Sequence, residues 1–169
     1  MWSPENILKG RMGEALIDEL LSNSGNTVYR FGYETILQNL TQSDREFDRE
    51  TETGQQISCT PDFVVVNQYK KPFFVEVKFR SSLSRHVDEF IRDLNKIQKF
   101  WRAKVIVVIP EEPYFRIMNP PYIDGRGNLI FSNLEDDPDL NVSCEDLKNF
   151  CSLVQKYFNK RSNGTMAGK

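Results

Sequence analysis

Asp62, Glu76 and Lys78 are the residues of this chain whose types and spacing could do chemistry. All three sit in the stretch Thr60 to Arg80, "TPDFVVVNQYKKPFFVEVKFR", where two dense apolar runs carry charges that a buried strand ordinarily lacks. Side chains alternate faces along a strand, so Asp62, Val64 and Val66 share one face and Phe74, Glu76, Lys78 and Arg80 share another. If the runs pair antiparallel through a turn at Lys70 and Lys71, the start of the first lies beside the end of the second. Asp62 then meets Glu76 and Lys78 on one face of a sheet.

Two unpaired buried carboxylates would cost several kcal/mol each, and each would raise the other's pKa. A divalent cation removes both penalties, and hard carboxylate oxygens suit Mg²⁺ or Mn²⁺. Lys78, two residues from Glu76, aims its ammonium into the same pocket. Such a set can hold a metal, orient a water and stabilise charge on a phosphate. The plain alternative is a buried Glu76–Lys78 or Asp62–Lys78 ion pair with no chemistry.

These side chains need a sheet and helices to position them. Pro4 to Leu21 reads as a helix with Ser3 as N-cap, Pro4 in its first turn, an apolar stripe through Ile7, Ile17, Leu20 and Leu21, and Gly25 as its stop. "TVYRFGYETI" is strand-like. "LTQSDREFDRETETGQQ" is polar and aperiodic, a long loop or mobile hairpin; its acidic part, Asp44 to Glu52, could be a lid or a dimer arm. Ile57 to Val66 and Phe73 to Arg80 form the hairpin. Arg85 to Trp101 carries Val87, Phe90, Ile91, Leu94, Ile97 and Trp101 at helical spacing, and Trp101 reads as core. "KVIVVIP" is a fully buried strand. Tyr114 to Met118 reads as a short strand and "YIDGRGNLIF" as a hairpin. Ser143 and Asp146 form a capping-box-like start to a helix through Leu147, Phe150, Val154 and Phe158.

Pro61-Asp62, then thirteen residues, then Glu76-Val77-Lys78 resembles the signature of the PD-(D/E)xK nuclease superfamily. That group includes restriction endonucleases, Holliday-junction resolvases and repair nucleases. Its common core is helix, three strands, helix, strand, with the motif on the second and third strands, which is the order read above. The archaeal-type resolvases add a glutamate from the first helix, and "KGRMGEALIDELL" supplies Glu14 in a similar small-residue segment.

The resemblance spans roughly Gly10 to Pro110 and implies an α/β, restriction-endonuclease-like core with a C-terminal hairpin and helix extension. One domain over 1–160 is expected, with its core at about 4–110, an extension at 111–160 and a flexible tail at 161–169. The resemblance implies phosphodiester hydrolysis with Mg²⁺, or Mn²⁺ in its place. Asp62 and Glu76 would bind the metal, the Val77 carbonyl would be a further ligand, Glu14 would hold the metal through water or directly, and Lys78 would position or activate the attacking water. Arg80, on the Glu76 face, could touch a phosphate or stand in solvent at a strand end. Gln98, on the inward side of its helix, could reach the site or lie at the core's rim. Lys96 and Lys99, with Arg92, could touch backbone phosphates or form a solvated face. The expected partner is nucleic acid, DNA ahead of RNA, with a branched, repair or restriction-type substrate. A homodimer is an arrangement the resolvase-like branch allows. The alternative is a nuclease fold used only for binding or assembly.

The rest of the composition narrows the classes. A net charge of −2 hides a basic block, Lys70 to Lys104, with ten Lys and Arg against four acids. An acidic block, Glu111 to Phe150, follows with nine acids against three bases. Such blocks can steer a polyanion onto one face. His86 is the only histidine, so a catalytic triad or a multi-histidine metal site is excluded. Cys59, Cys144 and Cys151 lack metal-ligand spacing and read as reduced thiols in a cytoplasmic setting. No signal-peptide pattern opens the sequence, and no apolar run is long enough for a membrane span.

Overall fold

The computed structural model describes residues 4–32 and 47–158. Its frame is a mixed α/β sheet of six strands in the spatial order of the chain. The first helix, α1 (Pro4–Asn23), ends where Gly25 takes a positive φ of 84° that a side chain would resist. Strand β1 (Thr27–Arg30) follows. Short helix α2 (Glu52–Ser58) leads to β2 (Phe63–Val66), which turns into β3 (Pro72–Phe79). Helix α3 (Val87–Phe100) crosses over to β4 (Lys104–Val108), the parallel neighbour of β3. Strands β5 (Phe115–Met118) and β6 (Ser132–Asn133) extend the sheet antiparallel, and α4 (Cys144–Phe158) closes the described chain. No described helix is long and apolar enough to cross a membrane.

Alternation along the strands divides the core into two layers. Val75 and Val77 of β3, with Phe63, Ile106 and Ile117, pack against Ile17, Leu20 and Leu21 of α1 and Leu147 and Val154 of α4. The other face sets Val105, Val107 and Met118 against Phe90, Leu94 and Ile97, the apolar stripe of α3. The expected helix–strands–helix–strand order is present, with α2 inserted between β1 and β2.

That insertion corrects two expectations. The polar stretch read as loop or hairpin contains α2, and the strand expected from Ile57 begins only at Phe63. Thr51 caps α2, its Oγ1 accepting from the Gly54 N–H at 3.0 Å. Gly54 is buried where the Asp48 backbone fills the space a side chain would need. Seven residues with one aliphatic among them give too little periodicity to announce a helix. The remainder of the strand-like segment, the Asp44–Glu46 part of the acidic loop and the 161–169 tail lie outside the described residues.

The β2–β3 turn forms at the expected place. Asn67 Oδ1 accepts from the Tyr69 and Lys71 N–H groups, both at 3.0 Å, and Lys70 takes a left-handed φ of 64°. A buried polar network then ties the sheet to the extension. Lys104, at the head of β4, donates to Asp137 Oδ2 at 2.8 Å and to Asn119 Oδ1 at 2.8 Å, and pairs with Asp139 at 2.9 Å. The Lys104 side chain is 8% exposed and that of Asp137 0%, so every member needs the others.

At α4 the capping box is reciprocal. Asp146 N–H donates to Ser143 Oγ at 3.1 Å, and Ser143 N–H donates to Asp146 Oδ2 at 3.2 Å. The Ser143 hydrogen bonds, side chain and backbone, hold the Asp146 carboxyl below the usual carboxylate range. Ser143→Ala is expected to cost about 1 kcal/mol, a fall of roughly 2–4 °C in melting temperature, read by thermal circular dichroism.

Candidate active site

Asp62 stands one residue before β2. Pro61 fixes the preceding backbone, and the Asp62 carbonyl accepts from Phe31 N–H at 2.8 Å and Gly32 N–H at 3.1 Å. The hairpin register pairs Phe63 with Val75, which puts Asp62 across from Glu76. Asp62 Oδ2 accepts from the Val77 N–H at 2.7 Å. A residue's N–H and C=O point to the same side of an extended strand. The Val77 carbonyl therefore also faces the β2 side, past the last pair of that ladder.

Glu76 is 7% exposed, and Lys78 lies with it on the face that α3 covers. Lys78 Nζ meets Glu76 Oε1 at 2.7 Å. Glu76 Oε2 is buried with no hydrogen-bond partner, an arrangement that is costly unless something else binds there. Burial works against the Lys78 ammonium, but Glu76, Asp93 and Asp62 outweigh it and raise its pKa, so it stays charged. Asp62 shifts the other way from an ordinary carboxylate. Burial pushes its pKa well up, and the charges of Glu76 and Glu14 push it further than the Val77 hydrogen bond and Lys78 can offset.

Glu14 reaches this set from the opposite layer. Gly13 of α1 lies over β3, where a Cβ would make ordinary van der Waals contact with Val77 and Phe79 at 3.9 Å. Glu14 is half-buried beside it, and its charge is felt at Asp62. The structure thus brings Glu14, Asp62, Glu76, Val77 and Lys78 to one end of β2. Among the described residues no group of three or more His, Cys, Asp or Glu side chains is arranged to hold a metal. The donors present still fit a hard divalent cation: the unpartnered Glu76 oxygen, a carboxyl at Asp62 that resists charging, and a backbone carbonyl clear of its neighbouring ladder.

The outlying candidates fall elsewhere. The Arg80 guanidinium donates to the carbonyls of Arg85 at 2.5 Å and His86 at 3.1 Å and lies over the Phe90 ring. It ties down the approach to α3. Gln98 Oε1 accepts from Tyr122 N–H at 3.2 Å. Lys99 pairs with Glu52 of α2 at 3.1 Å, and Lys96 is exposed.

Three neighbours escaped the sequence reading. The charge of Asp93, on α3, is felt at Lys78, and no local sequence signal announced it. Cys59 and Tyr122 both sense the charge of Glu76, and burial together with that charge raises both pKa values. Cys59 is close to Asp62 in sequence, whereas nothing local announced Tyr122, whose hydroxyl donates to the Ala103 carbonyl.

No family model matches the chain, and no curated protein matches it. Among solved structures it is similar to Archaeoglobus fulgidus Hjc, a Holliday junction resolvase from an archaeal hyperthermophile. Identity is 16%, coverage is 81% of this chain and 97% of that one, and the TM-score is 0.40.

Proposed function

We propose that this chain is a metal-dependent nuclease that hydrolyses phosphodiester bonds, with DNA as substrate and Mg²⁺ or Mn²⁺ as the cation. One observation carries the reading. Glu76 presents a buried oxygen without a partner beside a carboxyl that resists ionisation and a lysine held charged. Stability alone does not call for such a cluster, since a well-packed apolar trio would serve as well or better.

Asp62 and Glu76 would hold the cation, with the Val77 carbonyl and Glu14 as further donors. When bound, the cation supplies Lewis acidity and a water of lowered pKa. Lys78 keeps its proton and places positive charge beside the phosphate oxygens as negative charge grows there. Hydrolysis would join the oxygen of a water to phosphorus and break the ester P–O bond, the proton that the water gives up balancing the one that the departing alkoxide takes. Branched DNA is the substrate that the resemblance of α1 to the resolvase branch favours, with repair or restriction-type DNA as the other options. A second reading, a nuclease-like fold that binds without cutting, draws on Lys78 engaging Glu76 Oε1 and on the described residues showing no set of three side chains arranged around a metal.

Single-stranded, duplex, flapped and four-way DNA, with an RNA alongside, separate the two readings when incubated with Mg²⁺, Mn²⁺ or EDTA. Metal-dependent cutting that disappears in Glu76→Ala is the expected result. Nucleic-acid binding with no cutting under any condition would establish the second reading.

A further inference from the structure

Next to the carboxylates, on the same face of the sheet, three aromatic rings meet. Phe74 precedes Glu76 by two positions on β3, about 7 Å along the strand. Its ring lies 5.3 Å from that of Phe31 and 5.2 Å from that of Trp101, and Phe31 and Trp101 are 5.6 Å apart. Trp101 reads as core from its helical spacing, yet all three residues keep part of their surface in solvent. Phe74 and Trp101 sit at the margin of the α3 layer. Phe31 lies beyond β1 and is anchored through its N–H to the Asp62 carbonyl. Trp101 is held by its indole N–H donating to the Gln56 carbonyl at 3.1 Å. The wall is therefore fixed from the chain segments that fix the carboxylates. On the helix that ends at Trp101, Lys96 is exposed, and Lys99 is exposed and pairs with Glu52 of α2 at 3.1 Å.

A partly exposed aromatic wall beside a phosphodiester site, with a helix bearing exposed lysines leading into it, has the chemistry of a single-strand platform. Rings stack bases regardless of sequence, and cations follow the backbone. A base can reach such a wall only after leaving the duplex stack. We infer that Phe31, Phe74 and Trp101 receive an unpaired nucleobase next to the phosphate at Asp62, Glu76 and Lys78. The substrate class is then nucleic acid with an unstacked nucleotide at the cut: a single strand, a flap or a branch point. The inference rests on the nuclease reading and adds the strand state of its substrate.

Binding without cutting tests it. Trp2→Phe protein, with Trp101 as its remaining tryptophan, is titrated in EDTA with a single-stranded oligonucleotide, a flapped duplex and a blunt duplex. The expected result is quenching by the first two and little by the third. Phe31→Ala, which keeps the reporter, and Trp101→Ala, followed by anisotropy of a labelled strand, should each weaken single-strand binding about tenfold. Trp101→Phe should recover most of the affinity. Equal quenching by blunt duplex, unchanged affinity in both alanine variants, or no binding of any single strand would overturn the inference. Cutting of duplex DNA without quenching would leave the nuclease reading standing and this one refuted. Quenching without metal-dependent cutting would do the reverse.

Discussion

Lys78→Ala is expected to remove cleavage while tightening the grip on the cation. In the wild-type protein the ammonium lies 2.7 Å from Glu76 Oε1, so it competes with any metal for that carboxylate. Without it, both Glu76 oxygens are available, and Mn²⁺ affinity by calorimetry should rise. Cleavage should nevertheless fall by about a hundred- to a thousandfold, the usual effect of removing one preorganised charge from a developing oxyanion. The variant also leaves a carboxylate buried and unpaired, so its cation-free melting temperature should drop and saturating Mn²⁺ should restore it. Cleavage at the wild-type rate would show that Lys78 is only a structural partner. Weaker Mn²⁺ binding would place it among the groups that build the metal site.

Asp62→Asn is expected to stabilise the cation-free protein and abolish its activity. The folded-state pKa of Asp62 is raised by burial and by Glu76 and Glu14. Between the ordinary carboxylate pKa and the raised one, the native state binds more protons than the unfolded chain. Stability therefore falls as pH rises through that window, the opposite of a salt-bridged aspartate. Asparagine carries no charge to desolvate, and its side-chain oxygen can still accept from the Val77 N–H. The variant should melt higher than wild type at about pH 8 and nearly level with it below the ordinary carboxylate range. The gain should be about 2–4 °C for each kcal/mol relieved. Parallel melting curves across that range would show that Asp62 carries no such strain. Improved stability with intact cleavage would remove Asp62 from the catalytic set.

The meeting of Asp62 with Glu76 and Lys78 was legible because a short hairpin turn fixes register, and a one-residue slip would have moved every charge to the other face. The α3 layer was legible for a similar reason: Phe90, Leu94 and Ile97 repeat at helical spacing and are all buried. Helix α2 was not, because its stability comes from a Thr51 cap and the fit of Gly54 against Asp48 rather than from an apolar stripe. Arg80 was placed on the correct face, but nothing local revealed that the Arg85 and His86 carbonyls would take up its guanidinium. Lys104 likewise reads as the polar head of an aliphatic strand until Asp137 arrives from the extension. Local pattern announces which face a side chain takes; the partner waiting there comes from distant chain.

The most direct measurement is Mn²⁺ binding to wild type, Glu76→Ala and Asp62→Asn, followed by calorimetry with the proton release recorded in two buffers. If the charges lie in the sheet to hold a cation, wild type binds Mn²⁺, releases protons as Asp62 ionises, and binds more tightly as pH rises; both variants lose that site. Absence of binding in wild type, or binding that survives both substitutions unchanged, would contradict the account.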